Sequence, residues 1–147
     1  MFKNVLLPTD ASKLSLKAVR AGVAFARLHG ARVTGCYVYE PYQVYYFGDY
    51  IPPDMPTPKE MEVQAQKAGM KALAEIKKLA DAAGVAYSGA VVKAASPYDG
   101  IIKAAKKSRC DLIFMASHGR RGIAGVLLGS ETHKVLTHSK IPVMVYR

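Results

Sequence analysis

The chain has 147 residues, half of them apolar and 22% charged, with 21 basic against 11 acidic side chains for a net charge of +10. That length suits a single domain spanning 1–147 with a real core, and no apolar run approaches the roughly 20 residues of a membrane-spanning helix. The positive balance favours anionic partners: nucleotides, nucleic acid or a membrane surface.

Lys3 to Leu7 reads as a buried strand ended by Pro8, and the break at Pro8 and Asp10 comes too early for a signal peptide. In the helix that follows, Leu14, Ala18, Ala21, Phe25 and Leu28 recur at spacings of 4, 3, 4 and 3, which predicts them as its inner face. Asp10 or Ser12 can cap its start, and Gly30 suits the position just past its end. Ala31 to Tyr39 is a second strand rich in β-formers.

Pro41 to Pro58 is a long connection holding five of the eight prolines and four of the nine tyrosines. Connections of that length are usually functional or disordered, and the tyrosines point to packing. Thr57-Pro58-Lys59-Glu60 then opens a helix with an N-cap, a proline in the first turn and a capping box. Its expected buried stripe is Ala65, Ala68, Ala72, Ile76, Leu79 and Ala83, and Gly84 ends it. Val85 to Lys93 is the third strand, and Ser96-Pro97-Tyr98-Asp99 starts a third helix with Ile101, Ile102 and Ala105 inward. Asp111 to Ala116 is the fourth strand, Ser130 to His138 a short helix, and Ile141 to Tyr146 the last strand.

The alternation of strand and helix predicts an α/β fold with a five-stranded parallel sheet, doubly wound and Rossmann-like, helices covering both faces. With the expected strand order 3-2-1-4-5, the ligand crevice falls between strands one and four. Those strands exit into Pro8-Thr9-Asp10 and Met115-Ala116-Ser117, the two most polar strand exits. The fourth runs on into Ser117-His118-Gly119-Arg120-Arg121-Gly122 and Leu127-Leu128-Gly129-Ser130. A glycine-rich loop feeding a helix N-terminus is a phosphate cradle, because glycine allows positive φ and lets N–H groups approach a ligand closely. Ser130 can act there as N-cap or phosphate contact, and Arg120 and Arg121 can neutralise phosphate.

Other chemistries find less support. Cys36 and Cys110 form no CxxC and read as buried reduced thiols. His133 and His138 stand five residues apart, off a common helical face, which leaves His118 as the one histidine beside the crevice. The chain has no Gly-x4-Gly-Lys-(Ser/Thr) loop and no Gly-x-Ser-x-Gly elbow. Its lysines, among them Lys67, Lys71, Lys77, Lys78, Lys103, Lys106 and Lys107, lie along helices as solvated faces. The tyrosines are not interleaved with them, as single-strand nucleic-acid binding would need.

The opening Val5-Leu6-Leu7-Pro8-Thr9-Asp10-Ala11-Ser12, the stretch Ser117-His118-Gly119 to Gly129-Ser130, and Val135-Leu136 to Pro142-Val143 together resemble the universal stress protein family over essentially the whole length. Nucleotide-binding members carry Gly-x2-Gly-x9-Gly-(Ser/Thr). Gly119-x9-Gly129-Ser130 fits that spacing, and Ala116 stands where the first glycine would be. The resemblance implies ATP, or AMP or ADP, with or without Mg²⁺, lying across strands one and four. It implies binding roles for Pro8, Thr9, Asp10, Val38, Met115, Ala116, His118, Gly119, Arg120, Gly122, Gly129, Ser130 and Glu131, and no catalytic residue. It also implies a cytoplasmic stress-response switch and a homodimer joined along Ile141–Tyr146, an edge strand. A protein-interaction module of the same fold without nucleotide, and a slow ATP hydrolase, are the alternatives.

Overall fold

The computed structural model describes residues 1–42, 52, 54–119 and 128–147. Five strands alternate with four helices among them: β1 (Asn4–Pro8), α1 (Lys13–Leu28), β2 (Arg32–Tyr39), α2 (Pro58–Ala82), β3 (Tyr87–Lys93), α3 (Pro97–Lys107), β4 (Leu112–Ala116), α4 (Ser130–His138) and β5 (Val143–Tyr146). All ladders are parallel, in the order β3-β2-β1-β4-β5, as the alternation predicts. The central strands β1 and β4 are buried at every residue, because helices cover both faces of a parallel sheet. Successive side chains serve opposite layers. Val5 and Leu7 join Phe114 beneath α1 and α2, while Leu6 joins Ile113 and Met115 beneath α3 and α4.

The helix starts follow local chemistry. Ser12 caps α1 by accepting from the Ser15 N–H at 3.2 Å, and Thr57 with Glu60 forms the complete capping box of α2. Gly30 and Gly84 take φ of +63° and +67° just beyond α1 and α2. The strands begin one or two residues later than expected at Ala31, Val85 and Ile141, as strand ends often do.

The faces of α1 and α2 match the periodicity reading at Ala18, Ala72 and Ile76 and differ from it elsewhere. The buried stripe of α1 is Ser15, Ala18, Val19, Gly22, Val23 and Ala26, whereas Leu28 is 83% exposed. In α2 it is Gly69, Ala72, Leu73, Ile76 and Ala80, with Ala68 exposed and Ala65, Leu79 and Ala83 half-buried. Both helices lie close on the sheet, so their small residues face inward. A Cβ on Gly22 would overlap Leu7, and one on Gly69 would lie 2.8 Å from Tyr37. The α3 expectation holds, with Ile101, Ile102 and Ala105 buried.

Candidate functional site

The β1–β4 ladder pairs Val5 with Leu112 and Leu6 with Ile113 and goes no further, although β1 continues to Pro8 and β4 to Ala116. The two strands part there because the winding reverses between them, which is where open α/β sheets bind ligands. A cleft of about 430 Å³ occupies the gap. Of the thirteen sequence-predicted positions, Pro8, Thr9, Asp10, Val38, Met115, Ala116, His118, Gly119, Gly129, Ser130 and Glu131 line it, while Arg120 and Gly122 lie outside the described residues.

On the β1 side, a tight turn presents the polar residues. The Thr9 N–H donates to the Cys36 carbonyl at 2.8 Å, and the Thr9 hydroxyl pairs with Ser15 at 2.8 Å. Ala11 takes a φ of +64°, with its N–H donating to the Thr9 Oγ1. An Asp10 carboxylate oxygen accepts from the Ser12 N–H at 2.9 Å, which orients the carboxylate at the cleft wall.

The backbone of β2 offers a second kind of recognition. Cys36 directs its carbonyl toward β1, and Tyr39 directs its own toward the Ala94 N–H on the β3 side. Backbone groups alternate sides along a strand, so Val38 shares the direction of Cys36. Register pairs Pro8 with Cys36, and β1 ends there. The Val38 N–H and C=O therefore face the cleft beyond the last β1 partner.

On the β4 side, the chain leaves and returns under close control. The Ser117 N–H donates to the Tyr146 carbonyl at 2.8 Å, and the Gly129 N–H donates to the Ser117 carbonyl at 2.7 Å, which closes the neck of the loop. Of the two glycine properties the sequence reading names, Gly119 and Gly129 use the missing Cβ and not positive φ. A Cβ on Gly129 would lie 3.1 Å from the Ser117 carbonyl oxygen, and one on Gly119 would lie 2.6 Å from an Asp10 carboxylate oxygen. Ala116 ends β4 with ordinary strand backbone, and its carbonyl accepts from the buried Thr132 hydroxyl at 3.0 Å. No backbone conformation at this position requires glycine.

The N-cap of α4 is Gly129, which makes no side-chain cap bond, and Ser130 is the first helical residue. The first intrahelical bond runs from the His133 N–H to the Gly129 carbonyl. The N–H groups of Ser130, Glu131 and Thr132 precede it and have no partner within the helix, which makes this end electropositive. Beside it, His118 shares its Nδ1 with the Ser117 hydroxyl at 3.1 Å, and its buried Nε2 has no hydrogen-bond partner. Such an atom calls for a donor or acceptor that the described residues do not supply.

Glu131 has a different task from its neighbours. Its carboxylate accepts from the Tyr98 N–H at 2.8 Å and pairs with Lys134 at 2.9 Å. Ser96 makes no side-chain bond as N-cap of α3, and Glu131 supplies that acceptor from another helix. Asp10, Glu40 and Glu131 give the lining three carboxylates, and its described residues include no Lys or Arg. Ser15, Cys36, Tyr37, Glu40, Pro97, Ile101 and Thr132 also line the cleft and were not among the expected site residues. Of these, Ser15 and Thr132 carried a usable signal: a polar residue on the inner side of an otherwise apolar helical face.

Cys36 and Cys110 are buried free thiols, as expected. Burial, with a smaller contribution from Cys110, pushes the Cys36 thiol up to about 12. A thiol held protonated in this way is a poor nucleophile and metal ligand.

The family model described as the Universal stress protein family matches residues 1–147. The universal stress protein MJ0531 of Methanocaldococcus jannaschii is 28% identical over 152 residues, covering 100% of this chain and 83% of that protein. Among solved structures, the hypothetical protein MJ0577 of the same organism superposes with a TM-score of 0.80 at 25% identity, over 99% of this chain and 95% of the other. A universal stress protein in complex with cAMP superposes with a TM-score of 0.73 at 25% identity, over 99% and 97% of the two chains.

Proposed function

The chain belongs to the universal stress protein family, and from that premise we propose that it binds ATP or another adenine nucleotide in the β1–β4 cleft and acts as a cytoplasmic stress-response switch. The observation that carries this reading is the set of hydrogen-bonding groups around one cleft that have no partner among the described residues: the Val38 backbone, the first N–H groups of α4, and the His118 Nε2. The cAMP complex of a relative with the same fold supports the adenine part.

In this reading the base lies against the Val38 backbone and Pro8, with the ribose near Thr9 and Asp10. The phosphates sit over Gly119, Gly129 and Ser130, against the N-terminus of α4. Met115 and Ala116 form the floor, and Arg120 and Gly122 belong to the phosphate end. Mg²⁺ accompanying ATP would supply countercharge beside the three lining carboxylates. The Ala116 methyl sits on strand backbone that any residue adopts, so the departure from the glycine motif leaves the cleft usable. The reading has no catalytic residue; any hydrolysis is slow, and Ser130→Ala is its control. The chain pairs with a second copy along β5, which has β4 on one side and an open edge on the other. Val145→Lys releases monomers in sedimentation.

Isothermal titration with ATP and Mg²⁺ tests the reading on wild type, Gly129→Asp and Ser130→Ala. Micromolar binding is expected in wild type and is lost in Gly129→Asp, where a carboxylate would occupy the phosphate end. Absence of binding by a folded wild type overturns it and leaves the interaction-module alternative. Hydrogen exchange with and without ATP tests the switch. Identical protection of the segment from Gly119 to Ser130 in both states overturns that part.

A further inference from the structure

The chain carries a net charge of +10, and among the described residues the cleft lining has three carboxylates and neither Lys nor Arg. Part of the positive charge is concentrated on α1, which carries Lys13, Lys17, Arg20 and Arg27 and no acidic residue. All four are exposed, and none forms an ion pair among the described residues. Uncompensated like charge on one helix raises the local potential toward anions.

The second half of α1 also borders an apolar depression. Between it and the end of α2 runs a furrow of about 550 Å³, floored by Val23, Leu79 and Ala83 and edged by Arg20, Arg27 and Leu28. Arg20, Arg27 and Leu28 fall on one helical face by their spacing of 7 and 8, so charge and apolar surface share the rim. Leu28 is 83% exposed at the edge of this furrow. On α2, Lys78 is exposed and outside the ion pairs, and Asp81 is engaged by Lys77. The furrow lies toward the N-terminal ends of the strands, at the opposite end of the sheet from the cleft.

We propose that this furrow docks an acidic amphipathic helical segment of another protein, with apolar side chains at i, i+3 or i+4 and i+7 in the furrow and carboxylates on Arg20 and Arg27. Charge complementarity selects the acidic partner, and the concave apolar floor selects a helix over flatter or more polar ligands. A membrane surface would use Leu28 and the basic residues of α1 but would leave the recessed Val23, Leu79 and Ala83 without a counterpart. Nucleic-acid phosphates would engage the arginines but leave Val23, Leu79 and Ala83 without a counterpart. The inference stands apart from nucleotide binding, because none of these residues lines the cleft.

The test uses the full chain as bait for a displayed library of helical peptides, counter-selected against Arg20→Glu/Arg27→Glu. Enriched peptides are expected to be acidic with helically spaced apolar residues. They should shift backbone amides around Ala24, Leu28, Leu79 and Ala83 in ¹⁵N spectra, and should bind the double variant about tenfold more weakly. Leu28→Asp, at an exposed position that leaves folding intact, should weaken binding as well. A peptide with its Glu residues changed to Lys should recover affinity for the double variant. Phosphatidylglycerol vesicles and oligo(dT) are run beside the peptides. Failure to enrich acidic peptides, or shifts confined to the cleft, overturns the proposal. So does binding of vesicles or oligo(dT), but no peptide, with loss in the same variants.

Discussion

Glu131 offers the sharpest separation between a ligand contact and a structural anchor. The perturbation is Glu131→Ala, compared with Glu131→Gln. In the folded chain the carboxylate accepts the Tyr98 N–H at 2.8 Å, at the start of a helix whose own N-cap, Ser96, makes no side-chain bond. Loss of a capping acceptor costs about 0.5–2 kcal/mol. The Lys134 pair at 2.9 Å, with side chains 45% and 32% exposed, adds about 0–1 kcal/mol after solvent screening. Glu131→Ala should therefore destabilise the fold by about 1–2 kcal/mol. Glu131→Gln keeps an acceptor oxygen and loses only the charge, so it should cost about half as much. Urea unfolding followed by far-UV circular dichroism measures both, with a midpoint shift of about 0.5–1 M for the alanine variant at an ordinary slope. ATP affinity should hold or rise, because the substitution removes an anion from the rim of the proposed phosphate end. Wild-type stability with a large loss of affinity would refute this reasoning and return Glu131 to the ligand contacts. Equal effects of Ala and Gln would show that the charge, not the acceptor geometry, carries the interaction.

Further perturbations probe the core and the thiols. Gly22→Ala gains about 1 kcal/mol in helix propensity but forces a methyl against Leu7 and within 3.2 Å of Phe114, at an overpacking cost of about 1–3 kcal/mol. Net destabilisation near 1 kcal/mol is expected in the same unfolding assay, and a stabilised variant would show that α1 can lift off the sheet. Cys36 keeps its proton to about pH 12 when folded, against an ordinary value of 9.0, so the unfolded chain releases that proton first. Its contribution is complete below pH 9 and falls away as pH rises toward 12, at no more than about 1.4 kcal/mol per pH unit. Cys36→Ala should flatten the alkaline limb of stability measured above pH 9. Tyr87, also raised to about 12 by burial, keeps the limb from vanishing. An unchanged slope would mean that the thiol is solvated in the folded chain.

Much of this protein is legible along the chain because its cues are local. The caps at Ser12 and Thr57, the left-handed glycines at Gly30 and Gly84 and the alternation of elements each depend on a few adjacent residues, and the strand order follows from the handedness of the crossovers. The gathering of Pro8–Asp10 with Ala116–Gly119 and Gly129–Glu131 was legible too, since polar strand exits at a topological switch point converge whatever the core details. The face of α3 was legible, but those of α1 and α2 only in part, at Ala18, Ala72 and Ile76. Leu14, Leu16, Val19, Phe25 and Leu28 let several registers of α1 look amphipathic, and only contact with the sheet selects the stripe of small residues that fits closely against Leu7. Nor does the sequence indicate that Glu131 caps a helix 33 residues away, that Val38 turns its backbone toward an ended strand, or that Gly129 rather than Ser130 caps α4. Sequence determined which elements form and in what order, because propensity and capping act between neighbours. Tertiary structure decided which groups are satisfied and which are left facing the cleft, because a hydrogen-bond partner is a matter of distance in space.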